Sequence, residues 1–380
     1  MRTPVDLDAH ATTPLDPRVR EAMLSVLDGR VGNPASDHAL GWAAAALLER
    51  AREQVAALVH ADPSEVIFTS GATEACNQAL LGLAELHAEP RHLLISNLEH
   101  PAVLRPAQAL AARGWSVEEV PCDGEGLVDP AAVAARLRPE TALVSLIGAQ
   151  NEVGTVQPWR EAAAVCRERG VPLHVDGAQA VGRVPVDFRD DGLGLLSLSA
   201  HKFHGPAGSG ALVVRRRDPR VRPAARILGG GQEDGRRSGT PNLAGVVGLG
   251  EAARLAAAEM DARAERLRRL GSELYLRLAG AIPELRLNGS ARHRLPGSLS
   301  LTFPGVKAAD LLRRAPTLAL STGAACGSGS AEVSRILTAL GLGPDAAAST
   351  LRIGLHKDVT DAEAAHAAER LAAAYRELRG

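Results

Sequence analysis

The stretch Ser197-Leu198-Ser199-Ala200-His201-Lys202-Phe203-His204-Gly205-Pro206 sets one lysine just past a short apolar strand and just before a Gly-Pro turn. A lysine at a strand end is ordinarily a solvated charge on an aliphatic stem, but the neighbourhood of Lys202 gives it another use. Upstream, the apolar run Val171-Pro172-Leu173-His174-Val175 ends in Asp176-Gly177-Ala178-Gln179, which puts a carboxylate at the mouth of an adjacent strand. Such runs recur. Strands are expected at Val66–Thr69, His92–Ser96, 142–147, 171–175, Leu195–Ser199 and Gly210–Val214. Most are separated by Ala/Leu/Arg-rich segments with helical spacing, such as Leu47, Leu48, Ala51, Val55 and Leu58. This alternation predicts an α/β fold, a mainly parallel sheet covered by helices on both faces, with ligands gathering beyond the strand ends.

After residue 250 the texture changes. A charged, alanine-rich helix over about 250–280 leads into strands at Arg286–Leu287 and 298–303 and a last helix at 362–378. The expected division is a large unit over 14–250 and a smaller α+β unit made of 1–13 and 251–380. With 380 residues, 46% of them hydrophobic, the chain is long enough to bury the core of both.

A formal charge of −1 gives no general pull toward nucleic acid, and the run Arg215-Arg216-Arg217 reads as a solvated strand end. No apolar stretch reaches the ~20 uncharged residues of a membrane span. The opening Met1-Arg2-Thr3-Pro4-Val5-Asp6 lacks the form of a signal peptide, so a cytoplasmic protein is expected, with neither nucleic acid nor membrane as partner. Cys76, Cys122, Cys166 and Cys326 are scattered without metal-ligand spacing, which argues against a zinc site and a disulfide scaffold. Cys76, Cys122 and Cys166 sit in helix-like or strand-like contexts and read as buried structural thiols.

An amine and a carboxylate at neighbouring strand ends are what pyridoxal phosphate needs: a lysine for the Schiff base and an acid for the pyridinium nitrogen. Other strand ends add to the pair. Ile67-Phe68-Thr69-Ser70-Gly71-Ala72-Thr73-Glu74-Ala75 passes from strand through a glycine turn into a helix, so that the backbone around Ala72 and Thr73, with the threonine hydroxyl, makes a phosphate site. It lacks the Gly-Lys-Ser/Thr ending of a nucleotide triphosphate loop, and its plainer reading is an ordinary helix cap. His100 follows another strand, where its ring could lie over a flat cofactor or simply satisfy a turn. Asn151 and Gln179 also follow strands. Phosphate donors, a ring, amides, an acid and a lysine at successive strand ends of one sheet make a site.

Asp8-Ala9-His10-Ala11-Thr12-Thr13-Pro14, Gly32-Asn33-Pro34-Ala35-Ser36, Thr69 to Glu74, Asn151-Glu152-Val153-Gly154-Thr155, His174-Val175-Asp176, Ser199 to Pro206 and the glycine-rich segment from Gly229 through Arg236-Arg237-Ser238-Gly239-Thr240 occur in this order along the chain. Together they resemble the cysteine desulfurases of the class V aminotransferase group, fold type I pyridoxal-phosphate enzymes. The resemblance implies a mainly parallel sheet of the seven-stranded type and a homodimer with its sites at the subunit interface. It also implies roles: Lys202 for the Schiff base, Asp176 for the pyridinium nitrogen, His100 for stacking and further acid/base work, Gln179 for the ring oxygen. Ala72, Thr73, Ser199 and His201 are then phosphate contacts, with Thr240 reaching the phosphate of the other subunit. Asn151, beside the cofactor, and Arg352 are implied to grip the substrate carboxylate, for which a planar guanidinium fork is suited.

The fold alone leaves transamination, racemisation, decarboxylation and elimination open. Cys326, in Ser321-Thr322-Gly323-Ala324-Ala325-Cys326-Gly327-Ser328-Gly329-Ser330, narrows the choice. A run of small residues cannot pack a core and reads as a loop over about 321–331, able to bring a thiolate to a sulfur on the bound substrate. Its position resembles the persulfide-bearing cysteine of the longer-loop desulfurases of iron–sulfur cluster assembly. The reading is conversion of L-cysteine to L-alanine with sulfur passed to Cys326 and on to an acceptor protein. Two departures stand out: His10 where the family commonly has Asn, and Thr-Gly-Ala-Ala-Cys-Gly where it has Ser-Gly-Ser-Ala-Cys-Thr. The Gly-Ala-Ala-Cys run also resembles selenocysteine lyases, which leaves selenocysteine as an alternative substrate, alongside another class V aminotransferase or lyase.

Overall fold

The computed structural model describes residues 4–322 and 334–380; Cys326 lies outside them. Seven strands form the main sheet, in the order Val66–Thr69, Gly210–Val214, Leu195–Ser199, Leu173–Asp176, Thr141–Ile147, His92–Ser96, Ser116–Val120. Every adjacent pair is parallel except the two that involve Gly210–Val214. Helices cover both faces, so the inner strands are buried throughout and read as unbroken apolar runs.

The strand Ser116–Val120 escaped the sequence reading for a physical reason. It is an edge strand, its Ser-Val-Glu-Glu-Val sequence is largely solvated, and carboxylates on an exposed edge discourage further pairing. The strand expected at 171–175 runs instead from Leu173 to Asp176, because Pro172 lacks the N–H that a ladder needs.

A second sheet of four antiparallel strands runs Ser321–Thr322, Thr350–Gly354, Ser298–Thr302, Arg286–Leu287. Its core holds Leu7, Leu301, Phe303, Leu351 and Leu371, and Val5–Asp6 pairs alongside Leu318–Ala319. The 39-residue helix Leu243–Ala281 joins the two cores. Leu249, Ala252, Ala253 and Ala256 pack under the large sheet, and Leu270, Leu274 and Leu278 under the small one.

That helix begins seven residues before the expected position. Gly245, Gly248 and Gly250 lower the helix propensity of its first turns. They are there for close packing: a Cβ on Gly250 would stand 2.7 Å from Ala51 Cα in the helix Ala39–Leu58. Asn242 caps the start by accepting the Gly245 N–H at 3.2 Å.

Arg215 is no solvated strand end. Its guanidinium donates to the carbonyls of Leu193 (2.6 Å) and Phe188 (2.9 Å) and lies over the Phe188 ring. Cys76 and Cys166 are buried as expected; Cys122 is only half-buried, in the bridge to Val128 that follows the edge strand. Among the described residues no helix is long and apolar enough to cross a membrane.

Candidate active site

A cavity of about 420 Å³ opens at the carboxyl ends of the parallel strands. It is lined by His10, Ala72, Thr73, His100, Asn151, Asp176, Gln179, Ser199, His201, Lys202 and Arg352, so ten of the twelve sequence-predicted site residues converge there. The other two are Thr240, exposed and away from this chain's cavity, and Cys326. A larger cavity beside Cys122, Trp159 and His293 holds none of these groups.

One wall is an anion cradle. Gly71 caps the helix Ala72–Ala84 at φ +151°, ψ 178°, a conformation essentially confined to glycine. Its Cα packs 2.6 Å from where a Cβ of Gly210 would lie, so two glycines let the turn press against the sheet. Thr73 therefore sits in the first turn and is not its cap. The opening N–H groups of this helix, which lack intrahelical partners, face Ser199 and His201 across the cavity. His201 Nδ1 stands 3.1 Å from Thr12 Oγ1, and burial, with Lys202 and Arg183 nearby, brings the imidazole down to about 4. It meets an anion as a neutral donor.

Lys202 ends the single 3₁₀ turn Ala200–Lys202 that follows its strand. Its Nζ donates to the carbonyls of His10 (2.7 Å) and Ala11 (2.9 Å), which aims it across the cavity mouth. Two groups without an assigned role in the sequence reading hold this arrangement. Arg183, half-buried, donates to the Lys202 carbonyl from Nε (3.0 Å) and Nη2 (2.9 Å) and to the Ala9 carbonyl (2.6 Å). Burial lowers it to about 10, which leaves it cationic at neutral pH. His10, whose pKa burial drives well below the ordinary value, accepts Gln179 Nε2–H on its carbonyl (2.8 Å) and Arg183 Nη1–H on its Nδ1 (3.1 Å). The amide N–H of the residue implied to reach a ring oxygen is thus held by the His10 carbonyl. No motif announces Arg183, since only the folded chain brings it under Lys202.

Asp176 closes its strand with Oδ1 accepting the Ala178 N–H at 3.1 Å. Burial pushes its carboxyl up, while the Ala178 N–H and the Lys202 ammonium pull it down. His100 proves both turn residue and cavity wall. Its Nδ1 accepts the Ala102 N–H at 3.1 Å as cap of the helix Pro101–Ala111, which fixes the ring's orientation. Burial lowers its pKa, so the ring is neutral with its proton on Nε2.

Arg352, with 3% of its side chain exposed, donates from Nη2 to Asp8 Oδ1 at 2.8 Å. Its Nε is buried with no hydrogen-bond partner among the described residues, an orphan donor on the cavity wall. Asn151 lies buried opposite. The cradle, the acid, the amine and the orphan guanidinium donor match a phosphorylated pyridine aldehyde carrying an amino acid. Fold and site together define a pyridoxal-phosphate-dependent enzyme.

The family model for aminotransferase class-V matches residues 5–366. Over 381 aligned residues the chain is 44% identical to cysteine desulfurase IscS of Anaeromyxobacter sp. (strain K), spanning 100% of this chain and 94% of that one. It is 43% identical to the human cysteine desulfurase, covering 97% of this chain and 80% of the relative. A solved NifS-like protein superposes with a TM-score of 0.91 at 33% identity, covering 98% of this chain and 99% of that one. The chain belongs to the class-V aminotransferase family, among its cysteine desulfurases, and its cofactor is pyridoxal 5′-phosphate.

Proposed function

We propose that this chain converts L-cysteine to L-alanine and keeps the sulfur as a persulfide on Cys326, for delivery to an acceptor protein in iron–sulfur cluster assembly or another sulfur-transfer route. The observation that carries the reading is the meeting of Lys202, Asp176 and the orphan Nε of Arg352 in one cavity. In this reading Thr73, Ser199, His201 and the start of the helix Ala72–Ala84 hold the phosphate, Asp176 holds the ring nitrogen's proton, and His100 covers the ring. Bound pyridoxal phosphate supplies an electron sink for charge that develops at the substrate Cα.

Arg352 and Asn151 bind and orient the substrate carboxylate. Lys202 takes the Cα proton and returns protons later, with His100 Nε2 as a second proton carrier. The Cys326 thiolate donates an electron pair to the substrate sulfur; an S–S bond forms, the C–S bond breaks, and its pair stays on carbon, where protonation gives alanine. Atoms and electrons balance without an added oxidant.

We further assign a homodimer, supported by exposed apolar side chains on the same chain as Thr240: Leu228 (82% exposed), Trp42 (62%) and Leu40. A division into 14–250 and 1–13 with 251–380 is supported by the core around Leu7, Leu301 and Leu351, which is separate from those of the large sheet although Ile336, Leu337 and Leu340 pack with the latter, and a cytoplasmic site by the free thiols.

The test is to incubate the holoenzyme with L-cysteine and measure alanine together with the mass of the Cys326 peptide. Cys326→Ser barely changes side-chain volume, so cofactor absorbance survives while alanine from L-cysteine nearly stops. Alanine formation at close to the parent rate would overturn the persulfide reading. Turnover of L-selenocysteine alone would move the assignment to a selenocysteine lyase.

A further inference from the structure

Glu99 directly precedes His100 in the loop after the strand His92–Ser96 and takes no part in the chemistry above. It is 2% exposed. Its Oε1 accepts two hydrogen bonds, from Ser96 Oγ and from the Ile147 N–H, each at 2.7 Å. Its Oε2 is buried with no hydrogen-bond partner among the described residues. Ile147 stands in register with Asp176 across the parallel pair, and the next N–H, of Gly148, donates to the Asp176 carbonyl at 2.8 Å. One carboxyl oxygen therefore ties the loop that presents His100 to the strand ends that present Asp176.

The charge state follows from the surroundings. An ionised carboxylate with one oxygen sealed away from any donor is strongly disfavoured, whereas the protonated form carries no charge to desolvate. Two buried carboxyls close together do not both ionise, and their environments decide which one does. Asp176 is faced by Lys202 and His100 and by the ring nitrogen when the cofactor is bound. The groups facing Glu99 are the Ser96 hydroxyl of its own loop, the Ile147 N–H of the central strand, Asp176 of the next strand and the buried Cys76 thiol of the helix Ala72–Ala84, none of them cationic.

Resting on the reading of His100 and Asp176 given above, we propose that Glu99 acts in its neutral form as a positioning residue, fixing both across the ring site and leaving the negative charge to Asp176 alone. Burial pushes Glu99 up to about 8, the Asp176 charge acts in the same direction, and the Ser96 and Ile147 bonds oppose. With the folded value raised, the stability contribution is complete below the ordinary carboxylate range and is lost as pH rises through about 8. Ionisation there sets a second negative charge beside Asp176.

The experiment compares the holoenzymes of the parent, Glu99→Gln and Glu99→Asp between pH 6 and 9.5. Glutamine is neutral at every pH and its carbonyl accepts the same two bonds, so kcat/KM near pH 7 stays within about 2-fold of the parent. The alkaline decline in kcat and in the cofactor's visible absorbance moves up by about one pH unit or disappears, and the thermal midpoint falls less between pH 7 and 9. Aspartate, one methylene shorter, cannot span Ser96 and Ile147, and kcat drops about 10-fold or more with KM little changed. A Glu99→Gln profile that overlays the parent's, or a Glu99→Gln enzyme as impaired as Glu99→Asp at pH 7, overturns the proposal. Asp176→Asn and His100→Ala made alongside test the underlying assignment: if both match the parent, that reading fails and not the behaviour of Glu99.

Discussion

Asp8 holds Arg352 with one oxygen, 2.8 Å from Nη2, and Ser321 with the other, 2.7 Å from its hydroxyl. One carboxylate thus touches the arginine assigned to the substrate and the last pair of residues before the segment that carries Cys326. It offsets the charge of a guanidinium that lines the cavity and whose buried Nε has no hydrogen-bond partner among the described residues.

The pair predicts opposite shifts in KM. Arg352→Lys loses the planar fork, and KM for L-cysteine rises about 10-fold or more, the scale of one charge-assisted bond. Asp8→Asn keeps an acceptor for Nη2 but removes the competing charge, so the incoming carboxylate meets an uncompensated cation and KM falls several-fold. Steady-state kinetics on both variants check this. If Asp8→Asn raises KM as far as Arg352→Lys does, Asp8 serves only as a scaffold.

Arg183 carries a prediction about stability and cofactor retention together. Arg183→Met leaves the carbonyls of Lys202 and Ala9, both in part-buried bonds, without this donor, at about 1–3 kcal/mol for each. The loss of charge-desolvation strain offsets part of that, so urea unfolding reports about 2–4 kcal/mol less stability. The covalent link at Lys202 also becomes easier to displace, which dialysis against hydroxylamine measures. Arg183→Lys fails to rescue, because one ammonium cannot reach donors' positions on both carbonyls with the fork's geometry. Parent-like stability in Arg183→Met would remove the clamp from the account.

The legibility of this chain was uneven for physical reasons. Strands buried on both faces, such as Leu195–Ser199 and His92–Ser96, show themselves as apolar runs, while the solvated edge strand Ser116–Val120 does not. Lys202 and Asp176 were readable because an amine and a carboxylate are unusual at neighbouring strand ends, whereas Arg352 came only with the family resemblance. Arg183, Asp8 and Glu99 act through backbone carbonyls, a second charge and a neighbouring loop, and those relations exist only after the chain has folded. The glycines at the start of the long helix weaken its propensity there, and their packing reason lies in Ala51 and Met23, about 200 residues away.

The assignment of Thr240 to the partner's phosphate gives the remaining prediction. Thr240 is exposed and absent from its own chain's cavity, next to the exposed stretch that includes Ile227 and Leu228. Alone, Thr240→Ala loses one phosphate hydrogen bond, so the cofactor dissociates about 10-fold more readily. Lys202→Ala alone is inactive. A tagged heterodimer of the two variants separates the possible geometries. If each site takes its lysine from one subunit and its threonine from the other, one of the two sites is intact and the other carries both lesions. Activity at limiting cofactor is then about half that of the parent dimer. If Thr240 serves its own chain, the only site with a lysine also lacks its threonine, and the heterodimer shows at most half the activity of the Thr240→Ala homodimer. That lower value, measured in purified heterodimer, rules out the shared site.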